Sequence, residues 1–455
     1  MDRPSTPDIP DVIARIRQLL EKGDMEALSA ELKPLHPADI ADVVQDLDGG
    51  DQVVVLKLLG NERAAEVLTE IDEFSGQALL KLLTDREVVS LLGEMPSDDA
   101  VDIISSLPPE KSEKIEAMLP QVERERLQEL LEFEEDTAGG IMEVESLAVR
   151  ESATIQDAIT LVRESADEIE NVQKIYVVDQ HGVLKGAVAV LDLIRHPPDA
   201  PVAEVMMTHL IKIPVDMDQE EVASQFGKYD EFALPVVDKK ERLIGRITVD
   251  DIIDVMEEEA SEDIAWIAGT REEEIGDPSP IRISRSRLPW LVAGLIGEIL
   301  NAILMSRYEV SIQTAVTLAF FIPLLMGTAG NIGSQAAVVV VRELALGEID
   351  VGHAGRRVLK ELVVALLNGV ILGFLLFAIV YLWRRDPGLG GLLWVSLVSV
   401  MFVAAFIGAS VPLLLHRLKV DPAIATGPFI TVSNDIIGLA IYMTLATYYV
   451  SLVGS

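Results

Sequence analysis

The sequence predicts a multidomain membrane protein, in which an acidic all-α superhelical domain, an α/β tandem repeat and a linker helix precede an all-α domain of five transmembrane helices. Three observations support this fold class. Residues 281–455 hold 12 Lys or Arg and 9 Asp or Glu, so the net charge of −37 for the whole chain leaves −40 for residues 1–280. Several residues in the middle of the chain recur 59 positions later. Five long apolar segments fill the remainder.

Residues 1–138 have the pattern of short amphipathic helices. An apolar residue, then a breaker or cap residue, then acids recur at 35–39, 59–63, 95–99 and 107–111, and this order is typical of helix starts. We therefore expect a small superhelix of helical hairpins in this acidic domain. Most of its acids fit a solvated helix surface. Its charge excludes nucleic acid as a partner and attracts cations.

Residues 139–258 contain a tandem duplication. Each copy has the pattern helix, strand, turn, strand, helix. In the first copy we expect a helix at 154–164, strands at 175–179 and 186–190, and a second helix at 191–195. The recurring positions are Val177-Val178-Asp179 with Val236-Val237-Asp238, Gly186 with Gly245, Asp192 with Asp251, and Ile194 with Ile253.

This pattern resembles a pair of CBS modules, a Bateman unit, with the first module at 139–198 and the second at 199–260. The resemblance implies that the modules pack together, that the protein dimerises and that their cleft takes an adenosine nucleotide such as ATP. An acid at the position of Asp192 or Asp251 would then contact the ribose. Lys174 and Glu231 stand near the expected cleft, where aromatic or hydrophobic residues would stack on the base.

A dense run of acids with helical spacing follows the second repeat. Like charges at this spacing repel one another unless something neutralises them. Two interpretations remain open: a solvated helix face, or divalent cations that bridge this face to other acids, since carboxylates and retained waters hold Mg²⁺. Residues 261–284 are expected to form the linker, or plug, helix. The acids are Asp250, Asp251, Asp254, Glu257, Glu258, Glu259, Glu262 and Asp263.

Five apolar segments are each long enough to cross a hydrocarbon core of about 30 Å. They cover 288–305, 315–341, 363–383, 392–415 and 423–450 within a membrane domain at 285–455. Arg and Lys residues precede the first segment, link the second to the third and precede the fifth. The positive-inside rule then places the acidic domains in the cytosol and the C-terminus outside. We therefore expect a multi-pass protein of the cell (inner) membrane.

The second apolar segment turns polar in its middle, where residues 327–335 read Gly-Thr-Ala-Gly-Asn-Ile-Gly-Ser-Gln. Small residues permit close helix packing, whereas polar groups at this depth require protein or a water-filled cavity. The last segment carries Asp435, and a carboxylate inside a span is by default a functional residue. Together these features predict a cation path past Gly330, Asn331 and Asp435, with the helix kinked or broken at its glycines.

The order of domains along essentially the whole chain resembles the MgtE family of magnesium channels. The motifs that carry the resemblance are Pro-Leu-Leu-Met-Gly-Thr-Ala-Gly-Asn-Ile-Gly-Ser-Gln at 323–335, Val-Asp-Pro-Ala at 420–423, and Asp435 followed by Gly438. The resemblance implies a homodimer whose pore lies between the two copies, with Asp435 of each copy holding a hydrated Mg²⁺ ion. It also implies that high cytosolic Mg²⁺ closes the pore.

The resemblance further implies a set of cytosolic Mg²⁺ sites. Gly427 departs from the family pattern, because members can carry Asn there, near the pore entrance. Glu298 and Asn301 are additional polar residues of the first apolar segment. The implied regulatory residues are Glu66, Asp98, Asp102, Gly140, Asp218, Glu220, Asp230, Asp251, Asp254, Glu259, Glu262, Asp263 and Asp421.

Other functions fit fewer of these features. A lone buried acid also suits a proton relay, so proton-coupled transport of Mg²⁺, Co²⁺ or Mn²⁺ is the main alternative. A receptor whose spans only anchor its CBS modules would not need Asp435. We expect no enzyme and no catalytic residue, since the sequence shows no phosphate loop, nucleophile elbow or metal-hydrolase spacing. The chain has no Cys, which excludes disulfides and thiolate metal sites.

Overall fold

The computed structural model describes residues 9–165, 172–270, 279–345, 354–425 and 427–453. The chain divides into two compact units, Met1–Met256 and Glu257–Ser455, and each has its own apolar core. The first unit contains the acidic helices and the tandem repeat. The second contains the five apolar segments.

Ten short helices build the acidic part of the first unit. Side-chain caps fix the starts of some of them: Asp24 and Asp72 each accept a backbone N–H, and Thr84 forms a capping box with Glu87. Most of these helices bury an aliphatic face and pack against the next helix but one. They are α1 (Ile9–Lys22), α2 (Met25–Leu32), α3 (Pro37–Gln45), α4 (Gly49–Leu59), α5 (Asn61–Thr69), α6 (Glu73–Leu80), α7 (Asp85–Leu92), α8 (Ser97–Ser105), α9 (Pro109–Glu116) and α10 (Gln121–Leu130).

The predicted duplication is visible in the strands that follow. Each copy forms a three-stranded sheet, in which the first strand is parallel and the third antiparallel to the central one. Val177 pairs with Gly186 in one sheet and Val236 with Gly245 in the other, so equivalent residues share one register. The elements are β1 (Ala148–Arg150), α11 (Ile155–Glu164), β2 (Lys174–Val178), β3 (Leu184–Ala189), α12 (Val190–Arg195), α13 (Val202–Val205), β4 (Ile213–Pro214), α14 (Gln219–Tyr229), β5 (Ala233–Val237), β6 (Leu243–Thr248) and α15 (Val249–Ala268).

Among the described residues of the second unit, five helices are long and apolar enough to cross a membrane. Each overlaps one predicted apolar segment, and the predicted fold class is confirmed. Residues 271–278, part of the predicted linker helix at 261–284, lie outside the described residues. The helices are α16 (Pro280–Ser306), a short α17 (Glu309–Thr314), a 3-10 turn (Val316–Phe321) that leads into α18 (Ile322–Ala345), then α19 (Ala354–Arg384), α20 (Pro387–Arg417) and α21 (Pro428–Val453).

The glycines of α18 do not interrupt it. We predicted a kink or break at 327–335, but an unbroken α-helix runs from Ile322 to Ala345, so the predicted break is wrong. A β-carbon on Gly408 of α20 would lie 2.2 Å from the carbonyl oxygen of Gly333, so the two backbones touch where the helices cross. A β-carbon on Gly327 or Gly330 would meet no described atom within 4 Å. Close helix packing therefore explains why residue 333 is glycine. Gly327 and Gly330 instead border open space in the single chain.

Candidate functional site

Asp435 lies on α21 where this helix packs against α18. The amide nitrogen of Asn434, the preceding residue, would lie 2.0 Å from a β-carbon on Gly333, and Gly438 of the next turn faces Met326. These two contacts show that α21 packs against the side of α18 that carries Gly333 and Met326. The side chain of Asp435 is half-buried in the single chain. A carboxylate in a span requires water, a cation or protein around it.

The residues of the predicted path lie on one pair of packed helices. Gly330 is half-buried and Asn331 exposed on α18, while Asp435 is on α21. The sequence analysis did not identify Asn434, which is 1% exposed and whose Oδ1 and Nδ2 atoms have no hydrogen-bond partner among the described residues. A second polar residue directly before Asp435 in an apolar span was the signal that could have revealed it.

Three carboxylates converge in the first unit. Asp98 of α8, Glu143, and Asp251 of α15 each offer one oxygen atom, and these oxygens lie within 4.8 Å of one another. Asp98 is 8% exposed, and its Oδ1 atom has no hydrogen-bond partner among the described residues. In the described part of the chain, this is the one group of three or more His, Asp or Glu side chains that converges in this way. We call these three residues the carboxylate cluster.

Two neighbours hold the carboxylate cluster in shape. Arg246 on β6 donates two hydrogen bonds, of 3.0 and 2.8 Å, to the Oε2 atom of Glu143. The Oδ2 atom of Asp251 accepts from the backbone N–H and the hydroxyl of Thr248, at 2.7 and 2.8 Å. The sequence analysis identified Asp98 and Asp251 but missed Glu143, because its pairing with Arg246 spans 103 positions and leaves no local pattern.

Burial raises the pKa of each acid in the cluster. The pKa of Asp98 lies well above its usual range, because burial and then the charges of nearby acids disfavour its ionised form. Burial raises the pKa of Glu143 to about 7 and that of Asp251 to about 6. Asp99, also missed, has a pKa raised to about 7 by burial and then by the charge of Asp102. The ionised cluster is therefore unfavourable until a cation compensates it.

The carboxylate cluster fits a hard divalent cation. All three ligands are carboxylate oxygens, and Mg²⁺ is held by a few such oxygens while it keeps several waters. The buried Oδ1 atom of Asp98 supports this fit, because a buried charged oxygen without a partner is costly. A bound cation would supply the missing partner.

A second group of predicted metal residues lies on neighbouring segments. The N–H of Ala138 donates to the carbonyl of Met217 at 2.7 Å, which lays the segment before Gly140 along the start of α14. Asp218 caps α14 and accepts the N–H of Glu220 at 3.0 Å. The fold therefore brings Gly140, Asp218 and Glu220 into one region of the first unit.

The remaining predicted metal residues of the first unit lie at its surface. Asp230 ends α14 in the left-handed conformation, with a φ of 53°. The exposure of these acids fits both a solvated acid and a weak cation site. These exposed residues are Glu66, Asp102, Asp230 and Asp254.

Acids also meet at the end of α15, in the second unit. Burial, and then the charges of Asp421 and Glu262, raise the pKa of Asp263 to about 6. Glu262 accepts a 2.8 Å hydrogen bond from the indole of Trp266, and Glu259 is half-buried one turn earlier. The predicted residues at this end of α15 therefore share one acidic environment with Asp421.

The last turn of α15 contacts the start of α21. A β-carbon on Gly427 would lie 3.2 Å from the carbonyl oxygen of Trp266. The ring of Trp266 meets that of Trp290 on α16 edge-on, with centroids 5.6 Å apart. Gly427, where the family pattern permits Asn, thus leaves room for the end of α15 beside the helix that carries Asp435.

The expected nucleotide cleft contains an ion pair. The ammonium of Lys174, which begins β2, contacts a carboxylate oxygen of Glu231, which precedes β5, and both side chains are largely buried. Asp192, the predicted ribose ligand, lies in α12 and pairs with Arg195 at 3.4 Å. Charged side chains therefore stand where a base-stacking residue was expected.

Three family models match four regions of the chain. Residues 322–445 match MgtE, described as a divalent cation transporter. Residues 35–136 match the MgtE intracellular N domain, and residues 138–199 and 202–258 each match a CBS domain. These regions follow one another in the order that the sequence analysis gave.

Two relatives, both named magnesium transporter MgtE, match nearly the whole chain. The Thermus thermophilus protein is 36% identical over 95% of this chain and 97% of its own. The Bacillus subtilis protein is 31% identical over 97% of this chain and 98% of its own. A crystal structure of the cytosolic domain of the Mg²⁺ channel MgtE in complex with ATP is 36% identical, covers 53% of this chain and 99% of its own, and has a TM-score of 0.52.

Proposed function

Because this chain belongs to the MgtE family of divalent cation transporters, we propose that it is a Mg²⁺-selective channel for magnesium uptake across the plasma membrane. The observation that carries the proposal is Asp435, half-buried on α21 where this helix packs on α18. The protein is a multi-pass membrane protein, with five candidate membrane-spanning helices among its described residues. In the proposal it acts as a homodimer, its first unit lies in the cytosol, and it has no enzymatic activity.

The pore would lie between two copies, with one Asp435 from each. Mg²⁺ dehydrates reluctantly, so two carboxylates can hold the hydrated ion through its waters rather than strip it. Their negative field favours a divalent over a monovalent cation. Gly330 and Asn331 on α18 would line the same path, since the open space beside Gly330 leaves room for a hydrated ion.

The first unit would sense internal Mg²⁺. The acids of the first unit repel one another. In the proposal the carboxylate cluster, with Asp98 and Asp251 as predicted ligands, binds Mg²⁺ only when the first unit is compact. A ligand that binds one state shifts the population toward it. Helix α15 carries Asp251 near its start and Asp263 near its end, so compaction would draw the end of α15 toward Asp421 and close the pore. High internal Mg²⁺ would then stop further entry.

Mg²⁺ uptake into proteoliposomes tests the proposal directly. We expect rapid uptake that follows the Mg²⁺ gradient and the membrane potential and that is unchanged when a pH gradient of either sign is imposed. Empty liposomes and liposomes with heat-denatured protein are the controls. Uptake that requires an inward proton gradient would support the alternative, proton-coupled transport, and absence of Mg²⁺ uptake under all conditions would contradict both.

ATP is proposed as a second ligand, in the cleft of the CBS pair. The ATP complex of the relative supports this, but here ATP must first open the Lys174–Glu231 ion pair. We expect Glu231→Gln to tighten ATP binding by about tenfold, because the freed ammonium can contact a phosphate, and Asp192→Ala to weaken it. Titration calorimetry of the full-length protein in detergent measures both. Glu241→Gln, which removes the similar ion pair to Lys212, is the control, and equal affinity in Glu231→Gln and wild type would contradict the assignment.

A further inference from the structure

Glu298 of α16 is a second acid at membrane depth, and the pore described above does not use it. The other acids of the spanning helices, Asp435 excepted, lie nearer to the helix ends than Glu298 does. Glu343 and Glu361 lie near helix ends, where both form ion pairs with Arg357. Glu298 and Asp435 are the two that lie well inside a span.

Helices α16 and α21 pack side by side and run in the same direction. A β-carbon on Gly297 would lie 2.4 Å from the side chain of Val432. About three turns further along, just past the end of α16, the hydroxyl oxygens of Tyr308 and of Thr444 on α21 are 3.2 Å apart. This parallel packing fixes the register of one helix on the other.

That register brings Glu298 to the level of Asp435. Glu298 follows Gly297, and Asp435 lies about one turn beyond Val432, so the contact between Gly297 and Val432 sets the two acids on neighbouring turns, where like charges repel. Glu298 is exposed on the surface of the single chain, and a carboxylate exposed to lipid at this depth is energetically unfavourable. Its exposed side must therefore meet water, a cation or a second protein copy.

Asn301 supplies an independent observation at the same place. It lies one turn beyond Glu298 on α16 and is 8% exposed. Its Nδ2 atom is 3.5 Å from the Oε2 atom of Glu298. Its Oδ1 atom is buried without a hydrogen-bond partner among the described residues. An amide oxygen is an acceptor for metal-bound water and a ligand for a hard cation.

We propose that Glu298 is a further ligand of the transported cation, acting with Asp435 and with the amide oxygen of Asn301. Each chain then presents two carboxylates, rather than one, to a hydrated divalent ion. The ion removes the repulsion between the carboxylates and gives the Asn301 oxygen a partner through water. The inference rests on the proposed transport of divalent cations, and it adds a ligand that sets affinity and preference for divalent charge.

The test compares Glu298→Gln and Glu298→Asp with wild type in proteoliposomes. We expect Glu298→Gln to raise the Mg²⁺ concentration for half-maximal uptake by about tenfold, with a smaller change in maximal rate, because one charge beside the ion is lost. Glu298→Asp should retain most of the affinity. Block by hexaamminecobalt(III), an inert analogue of hydrated Mg²⁺, should weaken by a similar factor in Glu298→Gln, and this readout does not depend on turnover.

Glu309→Gln is the matched control, since Glu309 is an exposed acid just beyond the end of α16. Its affinity and block should equal those of wild type. If wild type transports Mg²⁺ and Glu298→Gln is unchanged in both affinity and block, the inference is wrong while the proposed function stands. A Glu298→Gln defect that appears only under a pH gradient would also overturn it, because Glu298 would then carry protons. Absence of wild-type uptake would instead remove the proposed function itself.

Discussion

Asp435→Ala is expected to reduce Mg²⁺ uptake by about a hundredfold or more while the protein still folds and assembles. In the proposed dimer the substitution removes both central charges from the path, and loss of about 3 kcal/mol of ion stabilisation corresponds to that factor. The side chain is half-buried and the packing contacts of this turn come from Asn434 and Gly438, so little helix packing is lost. Uptake into proteoliposomes and elution volume in detergent measure the two expectations.

Asp435→Asn separates charge from shape. It keeps the volume of the side chain and removes the charge, so we expect weaker discrimination between Mg²⁺ and monovalent cations together with low flux. Glu309→Ala serves as the control for the loss of an acid outside the spans. Wild-type Mg²⁺ flux in Asp435→Ala would refute the assignment of Asp435 as the central ligand.

Much of the fold could be predicted because its signals are periodic. The 59-residue repeat fixes two sheets with equal register, and the apolar segments fix five long helices. The break at 327–335 could not be predicted correctly, because glycine permits both an irregular backbone and a straight helix in close contact. The neighbours decide between them: Gly408 lies against Gly333 in a close crossing of two continuous helices.

The candidate sites were predictable where an unusual residue type marks them. Asp435 stands out in an apolar segment, whereas Asp98 was predicted only through the resemblance to the MgtE family. Glu143 could not be found in this way, because acids are common in the first unit and its burial depends on Arg246 far along the chain. The proposed role of Glu298 also depended on the structure, since only the packing of α16 on α21 places it at the level of Asp435.

The pH dependence of Mg²⁺ binding follows from the raised pKa values of the carboxylate cluster. Mg²⁺ binds ionised carboxylates, so its affinity should fall as the pH drops through 7 and 6, where Glu143 and Asp251 take up protons. The stability of the metal-free unit has the opposite pH dependence. Acids whose pKa is higher in the folded state bind more protons there than in the unfolded chain, so the metal-free unit loses stability as pH rises from about 4 to about 7.

The double substitution Asp98→Asn with Asp251→Asn is expected to disable closure by internal Mg²⁺. We expect at least about tenfold more Mg²⁺ on the internal face of inside-out membrane patches for half-closure, with ion selectivity unchanged because the pore is untouched. The Mg²⁺-dependent rise in melting temperature, which should be large at pH 8 and small at pH 5 in wild type, should be lost. The metal-free double variant should melt higher than metal-free wild type, since two buried charges are gone.

The control for that experiment removes the same charge from the same unit without touching the cluster. Asp42→Asn with Glu70→Gln changes two exposed acids of the helical domain, so it lowers long-range repulsion equally. If closure shifts equally in both double variants, the net charge of the unit rather than the carboxylate cluster sets the Mg²⁺ response. If closure is unchanged in Asp98→Asn with Asp251→Asn, the cluster is not the sensor. If the Mg²⁺ concentration for half-closure shifts only in Asp98→Asn with Asp251→Asn, the carboxylate cluster is the gating site. The two double variants remove equal charge and differ only in whether the cluster can hold a cation.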